Sequence, residues 1–279
     1  MEKILIGIDA QHINTKTLHF ACYIAGLTNS KLTGVFLENQ AETEVPVLKT
    51  AYGMPYVETI VAADIPENGR KRKICEENIR VFNEVCESKG VHCSVHRNKG
   101  IPAAELIAES RFADLLIADN ELTFKDKQEK APSAFLKEVL SKSECPVVIA
   151  PSNFYGIDEV LFAYDGNSSS LFAIKQFTYL FPELSGKKII VMQVGDKGDI
   201  PITEKKKIGE LLQMHYSSIG FQLLKGKASD ELFGYLLKKK NVIVVMGAFG
   251  RNMLSAFFRP STAELLVQTL DLPIFIAHH

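Results

Sequence analysis

In the C-terminal half of this 279-residue chain, two glycines, an aspartate and two hydroxyls are spaced as an anion cradle requires. An apolar run ends at Met246 and continues into Gly247-Ala248-Phe249-Gly250-Arg251-Asn252. Nine residues separate Gly250 from Pro260-Ser261-Thr262, which opens the next helical stretch. Glycine lets backbone approach a bulky anion and turn its N–H groups toward it. Ser261 and Thr262 add hydroxyls at a helix N-terminus, where unpaired N–H groups and the helix dipole favour negative charge. A second apolar run ends in Tyr164-Asp165-Gly166, and Asp165 can accept hydrogen bonds from a base or a ribose there. The spacing is neither G-x-x-x-x-G-K-[ST] nor G-x-G-x-x-G, so it belongs to neither of those phosphate-binding families. Plainer roles stay open: turn glycines, hydroxyl helix caps, and solvent-facing Arg251 and Arg259.

No catalytic constellation accompanies the cradle. The sequence has no G-x-S-x-G elbow, no kinase-like base and no cysteine with an evident activating histidine. His12, His19, His92, His96 and His215 lack metal-ligand spacing, and His278 and His279 merely end the chain. Phe257 and Phe258 read as core or interface packing. With 32 basic and 33 acidic residues there is no cationic excess to neutralise a nucleic acid. Lys205 to Lys207 and Lys238 to Lys240 read as solvated helix faces or ends. The first apolar run, Ile4 to Ile8, stops at Asp9 and is too short for a signal peptide core or a membrane span. All five cysteines (Cys22, Cys75, Cys86, Cys93, Cys145) fall in the first half without a C-x-x-C pair. The odd count predicts free thiols and a cytoplasmic protein.

The elements that position the cradle come from an internal repeat. Lys3 to Asp9 is an apolar run ending in aspartate, followed by a helical stretch from Leu18 to Leu27. Glu159 to Asp165 repeats it, followed by Leu171 to Leu180. Lys31–Leu37 then matches Lys187–Val194, and Gly90–Val95 matches Gly220–Leu224. Ala103–Ser110 matches Asp230–Leu237, Asp114–Ala118 matches Asn241–Met246, and Pro146–Ala150 matches Pro273–Ala277. Each half therefore reads βαβαβαβαβ, and continuously apolar strands require a parallel sheet with helices on both faces. The expected domains are 1–152 and 157–279, joined by a linker short enough to keep them packed. The first half is longer by an insertion around Glu38 to Arg70, whose prolines, glycines and weak periodicity suggest a long surface loop. Such a sheet binds ligands beyond the carboxyl ends of its strands, where strand order reverses.

With these residues placed, the chain resembles a tandem universal stress protein. Nucleotide-binding members of that family carry an aspartate ending the first strand and the pattern G-x2-G-x9-G-[ST]. Here the second half reads Gly247-x2-Gly250-x9-Pro260-Ser261, preceded by Met246. The resemblance implies two five-stranded, Rossmann-like domains of the adenine nucleotide alpha hydrolase type, packed as a pseudo-dimer through their fifth strands. It implies ATP or another adenine nucleotide in the C-terminal domain. Asp165 would contact adenine or ribose, and Val194 and Met246 would line the base pocket. Gly247, Gly250, Arg251, Asn252, Ser261 and Thr262 would surround ribose and phosphates, and any Mg would ride on the phosphates. Pro260 departs from the pattern. It removes an N–H, a loss worth about 1.5–3 kcal/mol, or roughly ten- to hundredfold in affinity, against a charged group. In the first half the matching positions are Asp119, Leu122 and Pro132-Ser133. A carboxylate repels phosphate there, so that half should be empty or structural; Asp9 keeps the family's aspartate but can equally serve as a cap for the helix near Thr15. The implied role is regulatory, with a homodimer and an unknown protein partner, and with neither nucleic acid nor membrane. The rival functions are slow ATP hydrolysis and a module that binds no nucleotide.

Overall fold

Runs of branched apolar residues buried on both sides leave the strands they form no option but the middle of a covered sheet. The computed structural model of the chain describes residues 1–39, 44–51, 54–61, 66–124, 132–194, 202–225, 228–247 and 271–277. The first half runs β1 (Lys3–Asp9), α1 (Thr15–Leu27), β2 (Lys31–Asn39), β3 (Glu44–Ala51), β4 (Met54–Val61) and α2 (Pro66–Ser88). It continues with β5 (Cys93–Gly100), α3 (Pro102–Ser110), β6 (Leu115–Asp119), α4 (Ala134–Lys142) and β7 (Val147–Ala150). The second half runs β8 (Glu159–Tyr164), α5 (Ser168–Leu180), β9 (Lys188–Val194), α6 (Ile202–Gln213) and β10 (Ile219–Leu224). It closes with α7 (Ala228–Leu236), β11 (Val242–Gly247) and β12 (Ile274–Ala277).

Ten of these strands form one sheet in the order β10-β9-β8-β11-β12-β7-β6-β1-β2-β5. Pairing is parallel within each half, and the halves meet where β12 runs antiparallel to β7, Phe275 opposite Val148. The two fifth strands thus cover each other's edges. Residues of α1, α2, α5 and α6 pack on one face, and residues of α3, α4 and α7 on the other. Each core continues from one half into the other.

Three local expectations are corrected. The insertion expected as a loop carries the β3–β4 ribbon, antiparallel from Glu44↔Val61 to Ala51↔Met54. Pro46 and Pro55 obscured it in the sequence, yet a two-stranded ribbon has an outer edge on both strands where proline costs no ladder bond. Asp9 does not cap α1: Asn14 accepts from the N–H groups of Lys16 and Thr17, while Asp9 accepts from the Gln11 N–H at 2.9 Å. The strand expected from Gly90 begins at Cys93, because Gly90 takes a φ of +67° to end α2.

Nor is Lys239 a solvated lysine. Its ammonium lies 2.9 Å from the Glu159 carboxylate, joined there by Lys188 at 3.0 Å, and 4.8 Å over the Tyr235 ring. Burial alone would raise the Glu159 pKa, but the two ammoniums reverse that and leave it lowered. The folded state therefore binds fewer protons than the unfolded chain in this window, and stability rises with pH. Glu159 contributes above the ordinary carboxylate range and loses that contribution as pH falls through its lowered folded value. Urea denaturation from neutral pH down through that range should show the loss, and Glu159→Gln should give a shallower acid limb than the wild type.

Candidate functional site

In the second half α5 and α6 lie on one face and α7 on the other, so the chain changes direction between β8 and β11. These two strands are neighbours, with Val242↔Glu159 and Val245↔Phe162 in register. Asp165 follows β8 and Gly247 ends β11, so the switch point brings these two together at one rim. Asp165 accepts from the Asn167 backbone N–H at 3.0 Å and from its side-chain Nδ2 at 2.9 Å. That second bond diverts Asn167, the N-cap residue of α5, and its side chain makes no capping bond to the helix. The α5 N-terminus is thereby left with no side-chain cap beside a strand end, a polarity that suits an anion.

Gly247 is there for close packing as well. A Cβ on it would stand 2.5 Å from the Ser169 carbonyl carbon and oxygen and 2.7 Å from the Ser170 nitrogen. The end of β11 thus lies directly against the first turn of α5. Met246 is fully buried in the core facing α7, among residues such as Met192 and Leu232. Val194 ends β9 in register with Leu224. Gly250, Arg251, Asn252, Ser261 and Thr262, together with Pro260, lie outside the described residues, as do His278 and His279.

Sequence reasoning missed three polar side chains at this rim. Tyr164 donates to Glu204 at the start of α6, 3.0 Å away. Burial first, then the Glu204 and Asp165 charges, push the Tyr164 phenol up to about 12, so it remains a donor. Gln193 is opposite Tyr164 in the β8–β9 ladder, and its buried Oε1 has no hydrogen-bond partner among the described residues. The signal was present: Gln193 is the one polar residue in the run Ile189 to Val194.

At the equivalent rim of the first half the described residues that match the cradle are engaged with their own neighbours. Asn14 Nδ2 donates to Asp119 at 2.7 Å, and the Glu121 N–H occupies the other Asp119 oxygen. Ser133 donates to the Leu122 carbonyl at 2.6 Å and accepts from the Leu136 N–H, capping α4. Leu122 is buried, and Phe124 packs against Phe135 with centroids 5.0 Å apart. A groove of about 520 Å³ opens at the opposite rim of the second half, lined by residues such as Tyr155, Lys240, Asn241 and Pro273. It sits at the starts of β11 and β12, away from Asp165. Among the described residues no cluster of three or more His, Cys, Asp or Glu is placed to hold a metal ion. No helix among them is long and apolar enough to cross a membrane.

No family model and no curated protein matches the sequence. Solved structures do. A universal stress protein from Archaeoglobus fulgidus is similar over 99% of this chain and 98% of its own, at 15% identity and a TM-score of 0.71. The chain has the universal stress protein fold. A Pseudomonas aeruginosa structure named for the same family covers all of this chain and 93% of its own, at 16% identity and a TM-score of 0.54. An Arabidopsis thaliana protein of the family with AMP bound matches 53% of this chain and 88% of its own at a TM-score of 0.34, too low to bear on this chain. Among the described residues, the β8–β11 rim is the one that keeps an aspartate, a glycine and a helix start without a side-chain cap together.

Proposed function

We infer that this chain is a tandem member of the universal stress protein family that binds ATP or another adenine nucleotide at the β8–β11 rim and acts by regulation rather than catalysis. The observation that carries this is the meeting of Asp165 and Gly247 at neighbouring strand ends beside an α5 N-terminus with no side-chain cap. Asp165 would take the base or ribose, with Val194 and Met246 toward the base. Gly247, Gly250, Arg251, Asn252, Ser261 and Thr262 would hold ribose and phosphates, and any Mg would ride on those phosphates. The unpartnered Gln193 Oε1 is an acceptor that a ribose hydroxyl or an amino group would satisfy. Residues 1–152 and 157–279 would be the two domains of a pseudo-dimer, the first structural, with a further homodimer and a protein partner on the outside.

Titration calorimetry with ATP, ADP and AMP tests the reading. One of them should bind, and Asp165→Ala should weaken it by about ten- to hundredfold, the worth of hydrogen bonds to a charged group. Absence of binding by all three would overturn the reading in favour of a packing module. That second reading has its own support: the approach of β11 to α5 already explains Gly247 without a ligand.

A further inference from the structure

Three of the five cysteines converge between α1, α2 and β5. Cys22 of α1 and Cys86 of α2 are buried with their sulfurs 3.9 Å apart. The end of α2 brings in the third. The Val91 N–H bonds the Cys86 carbonyl at 2.9 Å, the Gly90 N–H bonds that of Glu87, and Gly90 turns the chain with positive φ. This αL termination folds β5 back along α2, so that Cys93 lies against Asn83, one helical turn before Cys86. Cys93 is half-buried, the most accessible of the three, and its sulfur lies 3.5 Å from Asn83 Oδ1. The row is therefore a half-buried thiol, Cys93, beside the helix turn that carries Cys86, and a buried pair of thiols in contact, Cys86 and Cys22. No member of it belongs to the β8–β11 rim.

We propose that this row is a hydroperoxide-reactive site, with Cys93 as the entry thiol and a Cys22–Cys86 disulfide as the product. The Cys93 thiolate attacks hydrogen peroxide: an S–O bond forms, the O–O bond breaks, and hydroxide leaves to become water, giving the sulfenic acid. The Cys86 sulfur then attacks the Cys93 sulfur, giving up its proton as water departs, and a Cys86–Cys93 disulfide forms. The Cys22 thiolate attacks Cys86, the first disulfide breaks, and Cys93 leaves as the thiol. In sum two thiols and one peroxide give one disulfide and two waters, a two-electron oxidation. The gap from 3.9 Å to a bonded pair at about 2.05 Å is on the scale of a side-chain rotation. The local electrostatics agree with the direction of exchange. The hydrogen bond with Cys86, aided by the Lys89 charge, holds the Cys22 thiol below its ordinary range despite burial. Cys86 is correspondingly raised, by that bond first and by burial second.

The test uses the full chain, reduced, freed of reductant and treated with hydrogen peroxide, then alkylated after unfolding and mapped without reduction. The expected product is a Cys22–Cys86 cross-linked peptide pair, lighter by two hydrogens and reversed by dithiothreitol. Cys75 and Cys145, fully or almost fully buried, should remain alkylatable, and burial pushes the Cys145 thiol up to about 12. Cys93→Ser should slow cross-linking by about tenfold or more, since the accessible thiolate is the reactive species. Cys22→Ala should arrest the relay at a Cys86–Cys93 disulfide. Full alkylation of Cys22 and Cys86 after peroxide would overturn the site, and an unchanged rate in Cys93→Ser would overturn the relay.

Discussion

Phe177→Ala is expected to lower the unfolding free energy by about 3–5 kcal/mol, the largest single loss in the second half. Phe177 lies on α5, is fully buried, and sits at the centre of an aromatic box. Its ring is 4.8 Å from Phe181, 5.2 Å from Phe275 and 5.8 Å from Phe162, centroid to centroid. The last two pairs are edge-to-face, the geometry that aromatic quadrupoles favour. Truncation removes the transfer free energy of the ring and leaves a cavity that three other rings cannot collapse to fill. Phe275 belongs to β12, which joins the two halves through β7, so the loss should reach the seam. Guanidinium denaturation followed by both far-ultraviolet and near-ultraviolet circular dichroism would measure it. A loss below about 1 kcal/mol would mean the box relaxes, against the close packing that sets these costs.

Much of this was legible in the sequence because strands buried on both faces must be written as continuous apolar runs. Lys3–Asp9 and Lys31–Leu37 could be marked almost to the residue, and the aspartates ending the repeat singled out one rim as the candidate. The meeting of the fifth strands was implied by the family resemblance, and the pairing of β12 with β7 shows it; covering exposed apolar edges is its physical reason. What escaped detection depends on geometry rather than composition. Asn14 and Asp9 are both competent caps, and only the turn between β1 and α1 decides that Asn14 adjoins the helix. The β3–β4 ribbon was hidden by prolines that are harmful only inside a wide sheet. Lys239 looked like part of a solvated run, yet Glu159, remote in sequence, turns it into the partner of a buried carboxylate. At the rim, Asp165 and Gly247 were identified from the repeat, while Tyr164–Glu204 and Gln193 required knowing which strands are neighbours.

Gly247→Ala is the substitution in which packing and ligand readings meet. One methyl group would stand 2.5 Å from backbone atoms of Ser169, and backbone cannot rotate away as a side chain can. The first turn of α5 must move from β11, at a cost of about 1–3 kcal/mol for overpacking. Gly234 supplies the control, for nothing lies within 4 Å of a Cβ there and it is helical. Gly234→Ala should be neutral or stabilise by up to about 1 kcal/mol through helix propensity and the unfolded chain. If the β8–β11 rim is a nucleotide site, Gly247→Ala should lose binding even at temperatures where it is fully folded, because the α5 N-terminus has shifted relative to Asp165. The two measurements therefore separate what Gly247 does. Loss of stability with binding unchanged would place the ligand elsewhere, whereas loss of both, with Gly234→Ala retaining both, would tie the helix start to the nucleotide.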